Sequence, residues 1–313
     1  MVSKEEAREV LKRIALEVNP KMEKGMEKYF AKREEVRPEK IQPVLEFVES
    51  KEERKLFRSA CSFWSVPVSS GYGRRIRLLV FDKSNGKLMG IAGLCDPVIA
   101  LRVRDEYIGW NREQRFKKLY HVMTAYVLGA VPPYNELLGA KLIALAVRSK
   151  EVLDYFKSKY AGKKTLIRGE EKPAELVLID TMGAFGKSVI YNRLRGWKFI
   201  GFTQGYTHIH LNGLFKEAKE KLKNKEVLKG YGFGKGANWK FRVLLEYFKE
   251  QGICREEMLK TPFKRGYYIA PLAENFKEFL QDKEEKPIYN VRTFEEEVQY
   301  WRLRWLVKRI TKT

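Results

Sequence analysis

The chain has 313 residues and a formal net charge of +22, because 62 Lys and Arg residues outnumber 40 Asp and Glu residues. Its hydrophobic content of 44% is typical of a folded globular protein and excludes a disordered polyelectrolyte. We find no apolar run long enough to cross a membrane and no secretory leader, so we expect a cytoplasmic protein. Three widely spaced cysteines without a CxxC pair favour a reducing compartment. The excess positive charge predicts a polyanionic partner, with nucleic acid before an anionic membrane.

The first 60 residues predict helices with charged outer faces. One helix starts near the N-terminus at a Ser-x-x-Glu capping pattern and ends at an Asn-Pro pair at residues 19–20. A second runs to about residue 33, and a third covers residues 43–58. The sequence therefore predicts a helical lead-in over residues 1–60.

A β-hairpin is predicted over residues 76–94, because two apolar runs flank an Asn-Gly turn. Tyr72, Arg74 and Arg75 stand at its entrance. Basic residues beside an aromatic ring are suited to phosphate contact and base stacking. The alternative is a charged sheet edge that prevents pairing with other strands.

Residues 125–147 predict a buried strand, a stiff turn at Pro132-Pro133 and a buried helix with Asn135 as its N-cap. Ligands often bind where a strand turns into a helix, because the helix N-terminus offers free N–H groups. We therefore expect Tyr134 and Asn135 at the mouth of a pocket. The alternative is that the segment is only a core crossover.

The middle of the chain predicts a helix from Ser149 to Tyr160, a strand at residues 176–179 and a Gly-rich turn at residues 183–188. Asp180 follows that strand and is either a site carboxylate or a cap. The turn lacks the first glycine of a Walker A loop, but Lys187 and free N–H groups can contact a DNA phosphate there. A helix at residues 189–194 and strands at 197–202 and 207–211 should follow.

The last hundred residues predict mainly helices, at residues 214–229, 241–251, 272–280 and 294–307, with a glycine- and aromatic-rich loop at residues 230–236. Basic and aromatic side chains recur around that loop, as they do in the hairpin entrance and the Gly-rich turn. The predicted nucleic-acid contacts are Tyr72, Arg74, Arg75, Lys187, Arg193, Lys235, Trp239 and Lys240.

Two of the three histidines, His208 and His210, stand two residues apart on a predicted strand, so their imidazoles share one face. Such a pair can hold Mg²⁺ or Mn²⁺ in a DNA-cleaving site, where a tyrosine such as Tyr191 attacks a phosphate. A carboxylate such as Glu136 would complete the ligands. The alternative is a pair that only packs and forms hydrogen bonds. The candidate catalytic residues are Tyr191, His208, His210, Asn135 and Glu136.

The predicted order of hairpin, strand, turn, helix, strand, helix and strand pair resembles the N-acetyltransferase fold. Residues 191–201, from Tyr191 to Gly201, resemble its late helix-to-strand element. The resemblance implies an α/β (α+β) chain with a mixed-sheet core at residues 61–213, followed by a mainly helical basic region at 214–313. Pro132 and Pro133 replace the N–H groups that would hold coenzyme A, so we do not expect acetyl-CoA as a cofactor.

Five blocks resemble the Druantia DruA family, and they spread over most of the chain. They are residues 71–75, 105–110, 125–135, 188–194 and 270–275. The resemblance implies a protein of an anti-phage defence system or a mobile genetic element, with a connection to DNA and with partner proteins of that system.

Three functions are therefore compatible with the sequence. The first is DNA binding, with or without DNA processing by strand cleavage or transposition. The second is an acyltransferase-like enzyme with Tyr191 as general acid. The third is a non-catalytic subunit whose charge recruits nucleic acid for partner enzymes.

Overall fold

The structure is a computed structural model that describes residues 4–164, 169–203, 212–223, 239–252 and 264–311. Within these ranges a single seven-stranded sheet organises the chain, in the order β1-β2-β3-β4-β5-β7-β6. The strands are β1 (Pro43–Phe47), β2 (Arg75–Asp82), β3 (Lys87–Cys95), β4 (Val122–Ala130), β5 (Leu178–Met182), β6 (Lys198–Thr203) and β7 (Arg265–Pro271). Strands β4 and β5 are parallel, and the other neighbouring pairs are antiparallel. The predicted mixed α/β class is confirmed.

Helices pack on both faces of this sheet, and α7 and α8, in the list that follows, pack against each other in a cluster of their own. They are α1 (Lys4–Val18), α2 (Lys51–Ala60), α3 (Arg102–Ile108), α4 (Arg112–Lys118), α5 (Gly139–Ala146), α6 (Lys150–Tyr160), α7 (Asn212–Lys221), α8 (Trp239–Glu250), α9 (Phe276–Leu280), α10 (Phe294–Trp301) and α11 (Val307–Ile310). A π-helical turn at Arg302–Leu306 joins the last two. None of the described helices is both long enough and apolar enough to span a bilayer.

The predicted hairpin is present as β2 and β3, with Asn85 and Gly86 in the turn. Gly86 adopts a φ of +70°, which glycine tolerates without strain. The Asn85 side chain binds the Tyr134 hydroxyl, at 2.9 Å, and so ties the turn to the segment after β4. Long runs of buried residues on both strands show that the hairpin lies in the interior of the sheet.

The strand, turn and helix predicted around residues 125–147 are also present, as β4 and α5. Asn135, however, does not cap the helix, because α5 begins only at Gly139. The chain first turns back so that the Gly139 N–H donates to the Tyr134 carbonyl at 3.0 Å. A Cβ on Gly139 would lie 2.7 Å from that carbonyl oxygen, so only glycine permits the turn.

The helical lead-in is partly wrong. Helix α1 forms as predicted, but residues 27–40 contain only short 3₁₀ turns. Residues 43–47 form strand β1, which pairs antiparallel with β2 and alternates in burial. Helix α2 begins only after Ser50, where the Ser50 and Glu53 side chains each bind the other's backbone N–H in a capping box. The pairing with β2 decided the conformation of a segment whose pattern alone suggested a helix.

Two predictions in the second half also fail. Residues 189–194 form turns instead of a helix, and Arg193 there takes a φ of +55°. Strand β7 was missed, and the helix expected at residues 272–280 starts only at Phe276. Strand β7 lies between β5 and β6, so the region at residues 214–313 supplies an interior strand of the sheet.

The core is divided by the sheet. One face packs against α5, α6 and α10 in a single large apolar cluster that includes Met123, Ile179 and Trp301. The other face carries two separate clusters. The first joins α2 to β2, β3 and β4, and the second joins α3 and α9 to β5 and β7. Thr124 of β4 and Asp180 of β5 lie on this same face, because Met123 and Ile179 beside them lie on the opposite one.

Candidate functional site

A buried carboxylate, Asp180, lies where strands β4 and β5 separate. The two strands pair in parallel from Val122 and Leu178 up to Thr124 and Asp180. The Thr181 hydroxyl then donates to the Ala125 carbonyl at 2.9 Å, in place of a continued backbone ladder. Asp180 lies on the sheet face that carries the two smaller apolar clusters, since its neighbour Ile179 lies on the opposite face.

Two hydroxyl groups donate to the Asp180 carboxylate, which is 2% exposed. Tyr267 of β7 donates to Oδ2 at 2.8 Å, and Thr124 of β4 donates to Oδ1. Burial raises the pKa of Asp180 above its usual 3.8, and the field of Arg104 opposes this shift. Thr124 is only half-buried, so it connects the carboxylate to the molecular surface.

The guanidinium of Arg104 is fully buried beside this group. It donates to the carbonyls of Val98 at 2.8 Å and Ile99 at 3.1 Å, and pairs with Asp105 at 2.9 Å. Asp105 also accepts from Trp110, at 3.0 Å. These contacts fix the cation in place. We call Asp180, Thr124, Tyr267 and Arg104 the Asp180 centre.

A tyrosine between two glycines lies near the Asp180 centre. Tyr72 is 46% exposed, and Gly71 and Gly73 have φ values of +68° and +65°. A Cβ on Gly71 would lie 2.9 Å from the Cβ of Cys95, so the loop crosses the end of β3 closely. Burial, with smaller effects from Cys95, Asp96 and Asp180, raises the pKa of Tyr72.

The two arginines after this loop have different environments. Arg74 is bound inside the structure, where it pairs with Asp96 at 2.8 Å and donates to the Tyr120 carbonyl at 2.6 Å. Arg75 is exposed, and its guanidinium donates only to the Gly71 carbonyl, at 3.1 Å, among the described residues. Of these two predicted nucleic-acid contacts, Arg75 alone is accessible.

Tyr191 lies in the core and not at a surface. It is 7% exposed, and its ring packs 4.6 Å from that of Trp197 and 4.7 Å from that of Tyr268. Burial raises its pKa, which opposes ionisation of the phenol. The Tyr191 ring therefore belongs to the core, and its catalytic role remains a prediction.

The turn after β4 buries one of the two residues expected at a pocket mouth and exposes the other. Tyr134 is fully buried, with its hydroxyl donating to Asp82 at 3.1 Å. Asn135 is exposed, and its backbone N–H donates to the Val131 carbonyl at 3.2 Å. Glu136 is also exposed and pairs with Arg33 at 3.3 Å. Tyr134 therefore belongs to the core crossover, as the alternative interpretation expects, and the site roles of Asn135 and Glu136 remain predictions.

The Gly-rich turn offers few free N–H groups. Those of Gly183, Gly186 and Ser188 donate to the Gly266 carbonyl, the Lys264 carbonyl and the Tyr268 hydroxyl. No helix follows to support a phosphate site. Lys187 and Arg193 are nevertheless exposed, as their predicted role requires.

Several predicted site residues lie outside the described residues. These are His208, His210 and Lys235, and the side chains of Trp239 and Lys240 at the start of α8 are not described either. In the part of the chain that is described, no group of three His, Cys, Asp or Glu side chains could hold a metal ion. The divalent-metal site remains a prediction.

The comparisons with known proteins identify a family. The profile of the family Druantia protein DruA matches residues 3–282. The Druantia protein DruA of Escherichia coli (strain UMEA 4076-1) is 42% identical over 292 residues, covering 90% of this chain and 72% of that protein. This chain belongs to the DruA family. No solved structure matches it, so the N-acetyltransferase-like fold remains a prediction within the confirmed α/β class.

Two of the blocks that resemble the DruA family lie at the Asp180 centre. The block at residues 105–110 supplies Asp105 and Trp110, and the block at residues 71–75 supplies the exposed Tyr72. Sequence reasoning noted Asp180 but missed Thr124, Tyr267 and Arg104. The only available signal was a polar residue within an otherwise apolar strand, as at Thr124.

Proposed function

We propose that this DruA-family chain is a nucleic-acid-binding component of an anti-phage defence system, with DNA as its ligand and with partner proteins in the same system. Membership of the DruA family supports a role in an anti-phage defence system. The net charge of +22 supports the polyanionic ligand, because such an excess repels itself in a compact fold unless counter-charge is bound.

The observation that carries the proposal is a set of accessible cations without carboxylate partners. In the described ranges, none of the following residues forms an ion pair: Arg75, Lys187, Arg193, Lys198 and Lys277. Three of them lie within residues 183–203, a segment that ends in the edge strand β6. Cations of this kind can neutralise phosphates without breaking an internal pair.

The test is the salt dependence of DNA binding. A chain that neutralises several phosphates should lose affinity steeply, with a log–log slope of about −5 or steeper. Lys187→Gln should reduce the magnitude of that slope by about 0.7–0.9, the contribution of one phosphate contact. Lys150→Gln is the matched control, because Lys150 already pairs with Asp154 on α6 and should leave the slope unchanged.

Fluorescence anisotropy with labelled DNA over a series of KCl concentrations measures both slopes. A flat salt dependence in the unmodified protein contradicts the proposal. An equal reduction for Lys187→Gln and Lys150→Gln would show instead that the effect follows net charge alone.

A second candidate function, DNA processing, is favoured by the Asp180 centre. A buried carboxyl with a raised pKa and hydroxyl partners is suited to proton transfer. A cleavage panel on single-stranded, double-stranded and branched DNA with Mg²⁺ or Mn²⁺ tests this. We expect Asp180→Asn to abolish any cleavage while DNA binding persists. Cleavage that survives this substitution would exclude Asp180, and the double variant His208→Ala/His210→Ala then tests the histidine pair.

A further inference from the structure

Strand β6 forms one edge of the sheet. Among the described residues it pairs with β7 alone, so its outer side has no strand neighbour. A bulge between Phe199 and Gly201 sets the alternation of its side chains. Lysine side chains contact aromatic rings beside this strand on both faces of the sheet. We call this set the β6 edge, and its members are Lys187, Phe199 and Phe202 on one face and Tyr107, Lys198 and Lys277 on the other.

On the first face a lysine and two phenylalanines lie side by side. The Lys187 ammonium is 4.4 Å from the centre of the Phe199 ring. Phe199 in turn packs edge-on against Phe202, with ring centres 5.1 Å apart. Phe199 rests on Tyr268 of β7, which anchors the pair to the core. Phe202 is 46% exposed and therefore presents ring surface to solvent.

On the opposite face two lysines flank one tyrosine of α3. The Lys198 ammonium donates to the Tyr107 hydroxyl at 3.1 Å. The Lys277 ammonium lies 3.7 Å from the centre of the same ring. Positive charge therefore lies on both sides of the strand, held by aromatic rings instead of carboxylates.

We propose that the β6 edge binds an unpaired nucleic-acid strand, with a base stacked on Phe202 and phosphates at Lys187, Lys198 and Lys277. This inference rests on the proposed function and names its substrate class. Aromatic side chains stack on bases whose faces are free, whereas a duplex buries those faces between neighbouring pairs. A ligand bound through its charge alone would not need the exposed Phe202 ring on the edge strand.

The experiment compares a labelled single strand with a duplex of the same sequence, by fluorescence anisotropy. Phe202→Ala should weaken single-strand binding roughly five- to hundredfold, the range for loss of one base–aromatic stack. It should leave duplex binding unchanged. Phe202→Trp should preserve single-strand binding, because the indole also stacks.

A matched control is available elsewhere on the surface. Phe63 is 41% exposed and packs against Phe30 with ring centres 5.0 Å apart, so Phe63→Ala removes a similar ring. It should change neither affinity. A strand with abasic sites is the second control, because it keeps the phosphates and removes the bases. Phe202→Ala should bind it as well as the unmodified protein does.

The outcomes separate the two proposals. If the unmodified protein binds neither strand nor duplex, the proposed function fails. If it binds both with equal affinity and Phe202→Ala changes neither, the β6 edge is not a stacking site, while nucleic-acid binding stands. The latter result would also be expected if a protein partner covers the edge. Equal loss for Phe202→Ala and Phe63→Ala would likewise overturn the inference.

Discussion

Two buried carboxylates, Asp180 and Glu297, show how differently the same group is used in this fold. Asp180 is 2% exposed and Glu297 is fully buried. Glu297 pairs with the guanidiniums of Arg148 and Arg195, each at 2.7 Å. Asp180 accepts from two neutral hydroxyls and, among the described residues, forms no ion pair. One carboxylate is neutralised by direct contact, and the other is not.

The difference separates a structural group from a candidate reactive one. Glu297 joins α10 to residues 148 and 195, and Arg195 also lies 3.9 Å from the Tyr300 ring centre. Such a cluster ties α10 to the segments that follow α5 and precede β6. Asp180 has no direct counter-charge, so its charged form is poorly stabilised and its pKa is raised. A carboxyl group without an ion-pair partner, such as Asp180, can take up a proton at lower free-energy cost than the ion-paired Glu297 can.

The largest effect should come from removing the Glu297 charge. Glu297→Gln leaves Arg148 and Arg195 without their carboxylate and should lower the free energy of unfolding by about 3–5 kcal/mol. Urea unfolding followed by circular dichroism measures it. Glu295→Gln, an exposed neighbour on α10, should change it by less than about 0.5 kcal/mol. Equal values for the two variants would show that the buried cluster adds no stability.

An intermediate effect is expected for Tyr267→Phe. It removes one of the two donors to Asp180 and should lower the free energy of unfolding by about 1–2 kcal/mol. Tyr300→Phe is a suitable control, because the Tyr300 hydroxyl makes no hydrogen bond to the described residues. A loss no larger than the control's would mean that the hydroxyl is dispensable to the centre.

The smallest effect at neutral pH should come from Asp180→Asn, within about 1 kcal/mol, because an amide can satisfy both hydroxyls without carrying charge. The pKa of Asp180 is raised from 3.8 on folding, so its protonation stabilises the folded protein fully below about pH 3.8. That contribution is lost as the pH rises through the folded pKa. The wild type should therefore lose stability relative to Asp180→Asn between pH 4 and pH 7. Unfolding at both values tests this, and a constant difference would contradict it.

Local signals predicted the parts of the fold that local residues determine. The Asn85-Gly86 turn and the strand, turn and helix of β4 and α5 could be read directly from the sequence. Strand β1 could not, because its conformation depends on pairing with β2 more than thirty residues later. Strand β7 was missed for the same reason, since its partners lie far upstream.

The candidate site was harder to predict than the fold. Asp180 stood out as a charge after an apolar strand, but its donor Tyr267 is 87 positions away. Tyr191 was a candidate catalytic residue in the block at residues 188–194. Its burial depends on packing against Trp197 and Tyr268, and Tyr268 is far away in the sequence. The β6 edge was also not predictable from local sequence, because Lys198 and Lys277 are far apart in the chain and are brought together by contact with the Tyr107 ring of α3.

The order of strands at the β6 edge has a consequence for protein synthesis. Strand β6 leaves the ribosome before β7, yet among the described residues it joins the sheet through β7 alone. Until residue 271 has been translated, the pairing of β6 with β7 cannot be completed, and this pairing is what places Lys198 and Phe202 at the sheet edge. A nascent or prematurely terminated chain can therefore complete the β2–β5 part of the sheet but cannot assemble this surface. If the β6 edge binds a nucleic-acid strand as proposed, a chain shortened before β7 should lack that binding.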